Sequence, residues 1–137
     1  MSVRFRIISS AKFAHFKVSG NITTIEEILC KGTSLFTDED WENGFNVLLD
    51  YRDVSQMDIY GSDVRQLVFQ DKKNSHLFDK SRFAVVAVKD FVYGLARMWE
   101  ILSEHTRIEC RVLRNIDKAL DWLGYSPEIL YSVDFYS

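Results

Sequence analysis

Proline, cysteine and glycine are all scarce in this sequence of 137 residues. With one proline and with aromatic residues at 14%, the chain has the apolar area that a folded domain needs, which excludes overall disorder. The two cysteines, Cys30 and Cys110, match no metal or redox spacing and predict free thiols in a reduced, cytoplasmic setting. The six glycines are scattered and form neither common type of phosphate-binding loop.

Positive charge and long hydrophobic runs are lacking as well. Lys and Arg number 17 against 20 Asp and Glu, and the net charge of −3 argues against a dedicated nucleic-acid binder. No apolar run is long enough to cross a bilayer, and Arg4 and Arg6 interrupt the N-terminal apolar stretch, unlike a secretory signal. We expect one cytoplasmic domain over residues 1–137, without an integral membrane segment and without a nucleic-acid partner.

The sequence offers no catalytic set. Its histidines, His15, His76 and His105, accompany no Gly-x-Ser-x-Gly motif, and we interpret them as solvated or half-buried structural residues. No His or Cys pair has the spacing of metal ligands. We therefore expect no catalytic residue, no metal and no cofactor, and a protein that is not an enzyme.

Hydrophobic periodicity divides the chain into alternating strands and helices. Alternating or continuous apolar runs predict strands near residues 3–7, 14–18, 45–49, 83–88 and 107–114. Stripes at helical spacing predict helices near residues 24–36, 60–73, 90–102 and 115–124, the last two capped by Asp90 and Asn115. The order β-β-α-β-α-β-α-β-α predicts an α/β fold with a mixed, mostly parallel five-stranded sheet and four helices.

The C-terminal extension, residues 125–137, stands outside this pattern. Ile129, Tyr131, Val133 and Phe135 alternate with mostly polar neighbours. This alternation fits a sixth strand, a segment that covers an exposed face, or a strand that pairs with another chain.

Three segments resemble a known family: residues 46–52 (NVLLDYR), 93–99 (YGLARMW) and 119–124 (ALDWLG). Their order and separation are similar to those of the small bacterial SpoIIAA-like proteins, also labelled STAS/SEC14-type domains, and the resemblance spans residues 10–124. It implies a fold of successive β-α units, shared with anti-sigma-factor antagonists and with the SEC14 lipid-transfer domain. Fold likeness by itself transfers no activity.

The resemblance also implies where a phosphorylated serine would lie. In the phosphoregulated antagonists an Asp-Ser-Ser-Gly run opens the helix after the third strand, and the matching run here is residues 58–61. Asp58 and Gly61 fit this run, but Ile59 and Tyr60 replace the two serines. We expect no serine switch at its usual place, and helical spacing predicts that Tyr60 packs with Val64 and Leu67.

The third predicted helix offers a candidate contact surface formed by Tyr93, Gly94 and Arg97. A stripe that begins at Phe91 is predicted to face the core, which places Tyr93 and Arg97 on the opposite side, four residues apart and able to stack. Because a glycine within a helix costs about 1 kcal/mol relative to alanine, Gly94 suggests a close approach by a backbone or partner. A solvated surface pair with a tolerated glycine is the alternative.

A candidate ligand rim consists of Arg52, Asp58 and Tyr60. In open α/β sheets ligands bind outside the carboxyl ends of strands, and the strand near residues 45–49 is predicted to end just before Arg52. There Arg52 either holds an anion or pairs with Asp53 or Asp58, and we favour the pairing.

These patterns support two hypotheses of function. The first is a regulatory or interaction module that binds another protein or itself as a homodimer through the third helix. The alternative is a carrier of a small apolar or lipid-like ligand, as the SEC14 likeness implies. The carrier needs an apolar cavity, and 137 residues are expected to leave little room for one.

Overall fold

The structure is a computed structural model that describes residues 1–106 and 108–131, apart from the side chain of His105. In these residues the elements follow the predicted order. They are β1 (Ser2–Ile8), β2 (Phe13–Ile22), α1 (Glu26–Phe36), β3 (Asn46–Met57), α2 (Gly61–Lys73), β4 (Arg82–Val86), α3 (Asp90–Ser103), β5 (Glu109–Leu113) and α4 (Ile116–Leu123).

The five strands form one mixed sheet in the order β1-β2-β3-β4-β5, with β1 antiparallel to β2 and the other neighbours parallel. Right-handed crossovers that all step in one direction place their helices on the same face. Helices α1, α2 and α3 accordingly cover one face and share one core, whereas α4 covers the other face. The prediction of an α/β fold with a mostly parallel five-stranded sheet and four helices is confirmed.

Strand alternation assigns side chains to the two faces. On β2, Ala14 and Phe16 point to the face of α1–α3, and Phe13 joins the core beneath α4. On β3, Val47 likewise points to the face of α1–α3, and Leu48 joins the core beneath α4. Both faces of these strands are covered, which explains their nearly continuous apolar sequence.

The predicted signals at helix ends hold for α4 but fail for α3. The side chain of Asn115 accepts a hydrogen bond from the N–H of Lys118 at 3.1 Å, and α4 ends at Gly124 with φ of 94°. The prediction that Asp90 caps α3 is wrong, because Asp90 is already the first helical residue and its carboxylate accepts a hydrogen bond from Arg114 at 2.7 Å.

The described part of the C-terminal extension covers the α4 face. Pro127–Tyr131 forms a 3-10 helix, so this part of the predicted sixth strand is wrong. Ile129 and Leu130 pack on the core beneath α4, and Arg6 donates hydrogen bonds to both of their carbonyls. Val133 and Phe135 lie outside the described residues, as does Arg107 at the predicted start of β5.

Across residues 1–106 and 108–131, no helix combines the length and the apolar composition that crossing a membrane requires.

Candidate functional site

A cavity of about 460 Å³ lies between the sheet and the layer of α1, α2 and α3. It forms because α2 packs against α3, whereas α1, on the same face, packs towards β1 at the edge of the sheet. The expectation that a chain of this length leaves little room for a cavity is therefore wrong. Its lining is mostly apolar and includes Phe16, Ile28, Leu49, Leu67, Val85, Leu95, Ala96 and Trp99.

The cavity reaches the surface beside α1. Among the residues that line it, the exposed ones are Cys30 and Thr33 of α1 and Thr37, which directly follows that helix. The other described lining residues are buried or half-buried. A ligand would therefore enter along α1 and lie against the sheet.

Tyr51 of β3, Asp71 of α2 and Trp99 of α3 are among the polar residues of this lining. The indole Nε1 of Trp99 donates a hydrogen bond to Asp71 Oδ2 at 2.8 Å. Burial raises the pKa of Asp71 to about 6, although the Trp99 hydrogen bond acts in the opposite direction. Burial, and then the charge of Asp71, raise the pKa of Tyr51 far above its usual range.

The charge of the lining has one sign. Asp71 is the ionisable carboxylate among the described lining residues, and these include no Lys, Arg or His. The cavity therefore carries negative charge at Asp71 when this residue is ionised, while the amides of Gln70 and Asn74 add uncharged donors and acceptors to the lining.

A separate polar cluster lies on the opposite face of the sheet. Asp50 Oδ2 is 2.9 Å from His15 Nε2, and both oxygens of Asp50 accept hydrogen bonds from Arg52 at 2.9 Å. Burial would raise the pKa of Asp50, but the bonds from His15 and Arg52 outweigh it and hold that pKa well below its usual range. Burial also lowers the pKa of His15, although Asp50 opposes this shift. His15 is therefore buried and paired with Asp50, so the interpretation of this histidine as solvated or half-buried is wrong.

The residues of the predicted ligand rim do not come together. Arg52 pairs with Asp50 instead of Asp53 or Asp58, because β3 continues to Met57 and turns Arg52 towards the α4 face. Asp58 is exposed beyond β3. Tyr60 precedes α2 and is 71% exposed, so the prediction that it packs with the helix is wrong.

The predicted contact surface on α3 is rearranged. Tyr93 is half-buried beneath the guanidinium of Arg114, which lies 4.1 Å from its ring centroid, and Arg97 pairs with Glu100. The expected stacking of Tyr93 on Arg97 is therefore wrong. A Cβ added at Gly94 would meet no described atom within 4 Å, so the chain itself makes no close approach there.

The exposed side of α3 is formed by Phe91, Gly94, Arg97 and Ile101. Phe91, which was predicted to lie in the core, is 43% exposed, and the neighbouring Val92 is buried instead. Gly94 and Arg97 thus remain on an accessible surface, and Tyr93 faces β5.

Comparison with solved structures finds a similar chain, an uncharacterised protein of the DUF3478 family from Shewanella loihica PV-4, described as having a SpoIIAA-like fold. The TM-score is 0.56, with 89% of this chain and 92% of that chain covered. The fold is SpoIIAA-like. This confirms the fold that the three sequence segments imply, and at 15% identity the likeness shows the fold alone. No protein-family model matches the chain, and no curated protein does.

The polar site within this SpoIIAA-like fold went unnoticed in the sequence, although a signal for it exists. Asp71 lies seven residues after Val64 and four after Leu67, on the apolar stripe of α2. A carboxylate on an apolar stripe indicates a buried ionisable group, which is typical of a binding site.

Proposed function

We propose that this protein binds a small apolar or amphipathic ligand and acts as its carrier rather than as an enzyme. The observation that supports the proposal is the apolar cavity of about 460 Å³ between the sheet and helices α1–α3. Ligand sites commonly occupy about 300–1,000 Å³ and combine an apolar lining with a few convergent polar groups. The cavity matches both properties.

The volume limits the size of the ligand. At a share of about 30 Å³ per water-sized group, the cavity accommodates roughly 15 such groups. A single alkyl chain or a compact aromatic compound of two or three rings fits this limit, whereas a two-chain phospholipid does not fit wholly inside.

Non-enzymatic binding agrees with the polar groups available. Tyr51, Asp71 and Trp99 include no pair of nucleophile and neighbouring base, and the described residues hold no group of three or more potential metal ligands. These side chains can orient a bound molecule by hydrogen bonds.

Titration with N-phenyl-1-naphthylamine, a neutral apolar fluorophore, tests the proposal. We expect saturable binding at one site with an increase in fluorescence, and loss of this binding in Ala96→Phe, which places a phenyl ring in the cavity. Gln66→Phe, at an exposed position on α2 outside the lining, is the matched control and should bind as the wild type does. Equal binding by Ala96→Phe, verified as folded by circular dichroism, would contradict the proposal.

A second candidate function, protein interaction or self-association through α3, is favoured by its exposed side. Phe91 and Ile101 are 43% and 50% exposed, and Gly94 and Arg97 lie between them. Aromatic and arginine side chains are enriched at protein interfaces. We expect Phe91→Ser with Ile101→Ser to convert a dimer into a monomer in light-scattering measurements, and a wild type that is itself monomeric would count against self-association.

A further inference from the structure

We propose that the ligand of the cavity is an amphiphilic primary amine, whose protonated head binds Asp71 and whose apolar body fills the space between the sheet and helices α1–α3. This inference rests on the proposed function, because it names the class of ligand for the same cavity. It is carried by the positions of Asp71, Trp99 and Tyr51 and by the charge of the lining.

Asp71 is held in place but retains bonding capacity. Its Oδ2 accepts the hydrogen bond from Trp99, while its Oδ1 has no hydrogen-bond partner among the described residues. A carboxylate has about four acceptor sites and no donor when it is ionised. A ligand bound beside it must therefore supply N–H or O–H groups.

Tyr51 provides a second oxygen in the same lining, where the charge of Asp71 acts on it. Its hydroxyl has no hydrogen-bond partner in the described part of the chain, and it is electrostatically coupled to Asp71. An ammonium group has three donors and can bond to a carboxylate and a hydroxyl at once. An anionic head would instead meet the carboxylate of Asp71 with like charge.

No cation within the described lining neutralises Asp71, since the lining contains no Lys, Arg or His. A buried charge is costly unless a partner of opposite charge accompanies it. A cationic ligand supplies that partner, a neutral alcohol supplies only a hydrogen bond, and a fatty acid supplies neither in its ionised form.

Because the ionisation of Asp71 depends on pH, the affinity for an amine should depend on pH as well. An alkyl amine stays protonated between pH 5 and pH 7.5, whereas Asp71, whose pKa is raised to about 6, becomes mostly ionised over this interval. Besides burial, the charge of Asp71 raises the pKa of Tyr51 of β3 and that of Cys110 of β5. The charge of Glu104 raises the pKa of Cys110 as well. The pKa of Tyr51 and that of Cys110, at about 11, both lie above the interval. Amine binding should therefore tighten as the pH rises.

Three ligands with the same ten-carbon chain test the inference: decylamine, decanol and decanoate, each titrated by native mass spectrometry and by tryptophan fluorescence. We expect decylamine to bind about tenfold more tightly than decanol, with decanoate weakest. Decylamine affinity should rise about tenfold from pH 5 to pH 7.5, because the ionised fraction of Asp71 rises by about that factor.

Two variants separate the role of Asp71 from that of the cavity. Asp71→Asn keeps the shape and an acceptor for Trp99, and should lower decylamine affinity about tenfold while leaving decanol affinity unchanged. Asp121→Asn, exposed on α4 across the sheet, removes the same net charge and should change neither.

Each other outcome is decisive. Equal affinity for the three ligands, preference for decanoate, or an Asp71→Asn variant that binds decylamine normally would overturn the amine assignment and leave the cavity proposal standing. If none of the three ligands binds and N-phenyl-1-naphthylamine does not bind either, the proposed function fails as well.

Discussion

At the scale of single residues, Asp71 is the feature that simple packing does not explain. It occupies the apolar stripe of α2, and burial raises its pKa from an ordinary value of 3.8 to about 6. The hydrogen bond from Trp99 offsets only part of this cost. Binding sites commonly contain such residues, which reduce the stability of the fold in exchange for interaction with a ligand.

Replacing Asp71 should therefore stabilise the empty protein at neutral pH. Because the pKa of Asp71 is higher in the folded state than in the unfolded state, its favourable contribution is complete below pH 3.8 and is lost as the pH rises through 6. Asp71→Asn should raise the free energy of unfolding at pH 7.5 by about 1 to 3 kcal/mol and have little effect near pH 4. Urea unfolding of both proteins at several pH values measures this difference.

The wild type and Asp71→Asn contain the same Asp50 cluster, so its contribution to the pH dependence cancels in the difference between their free energies of unfolding. A constant difference in unfolding free energy from pH 4 to pH 7.5 would contradict the account of Asp71. Asp121→Asn serves again as the control, because its side chain is exposed.

At the scale of elements, the sequence was sufficient to predict the order of the five strands and four α-helices along the chain, but not the full length of β3 or the partners of exposed side chains. Apolar periodicity and the signals at Asn115 and Gly124 depend on local sequence, and they located α4 within one or two residues. The neighbour of Tyr93 depends on how α3 packs against β5, because Arg114 directly follows this strand and Glu100 accepts the N–H of Val112 within it. No local pattern contains that information.

Gly124 and Gly94 have different backbone conformations, and replacement by alanine should change the stability of the protein in opposite directions at the two positions. Gly124 ends α4 with φ of 94°, so Gly124→Ala should lower the free energy of unfolding by about 1 kcal/mol. Gly94 lies within α3, where an added Cβ meets nothing within 4 Å, so Gly94→Ala should raise it by about 0.5–1 kcal/mol.

Thermal and urea unfolding of the two variants give the comparison directly. A Gly94→Ala variant that loses stability would show that something approaches this part of α3, as expected at an interface between copies. A Gly124→Ala variant with unchanged stability would show that α4 does not end in a left-handed turn.

At the scale of the whole molecule, the arrangement of layers creates the site. Three helices cover one face of the sheet, but α1 lies towards β1 and α2 lies against α3, and the cavity occupies the space beneath them. The mostly parallel sheet could be predicted from sequence because its strands alternate with helices along the chain. The spacing of α1 and α2 could not, because it depends on packing between residues far apart in sequence, and so the cavity was not predicted.

The central claim is that this cavity holds a ligand in the cell. Native mass spectrometry of the protein purified from cells without denaturation or organic solvent tests it most directly. We expect the wild-type chain to carry an additional small molecule that is released on denaturation, and the Ala96→Phe chain to have its bare mass. A wild-type chain that is isolated bare and takes up neither N-phenyl-1-naphthylamine nor decylamine would contradict it.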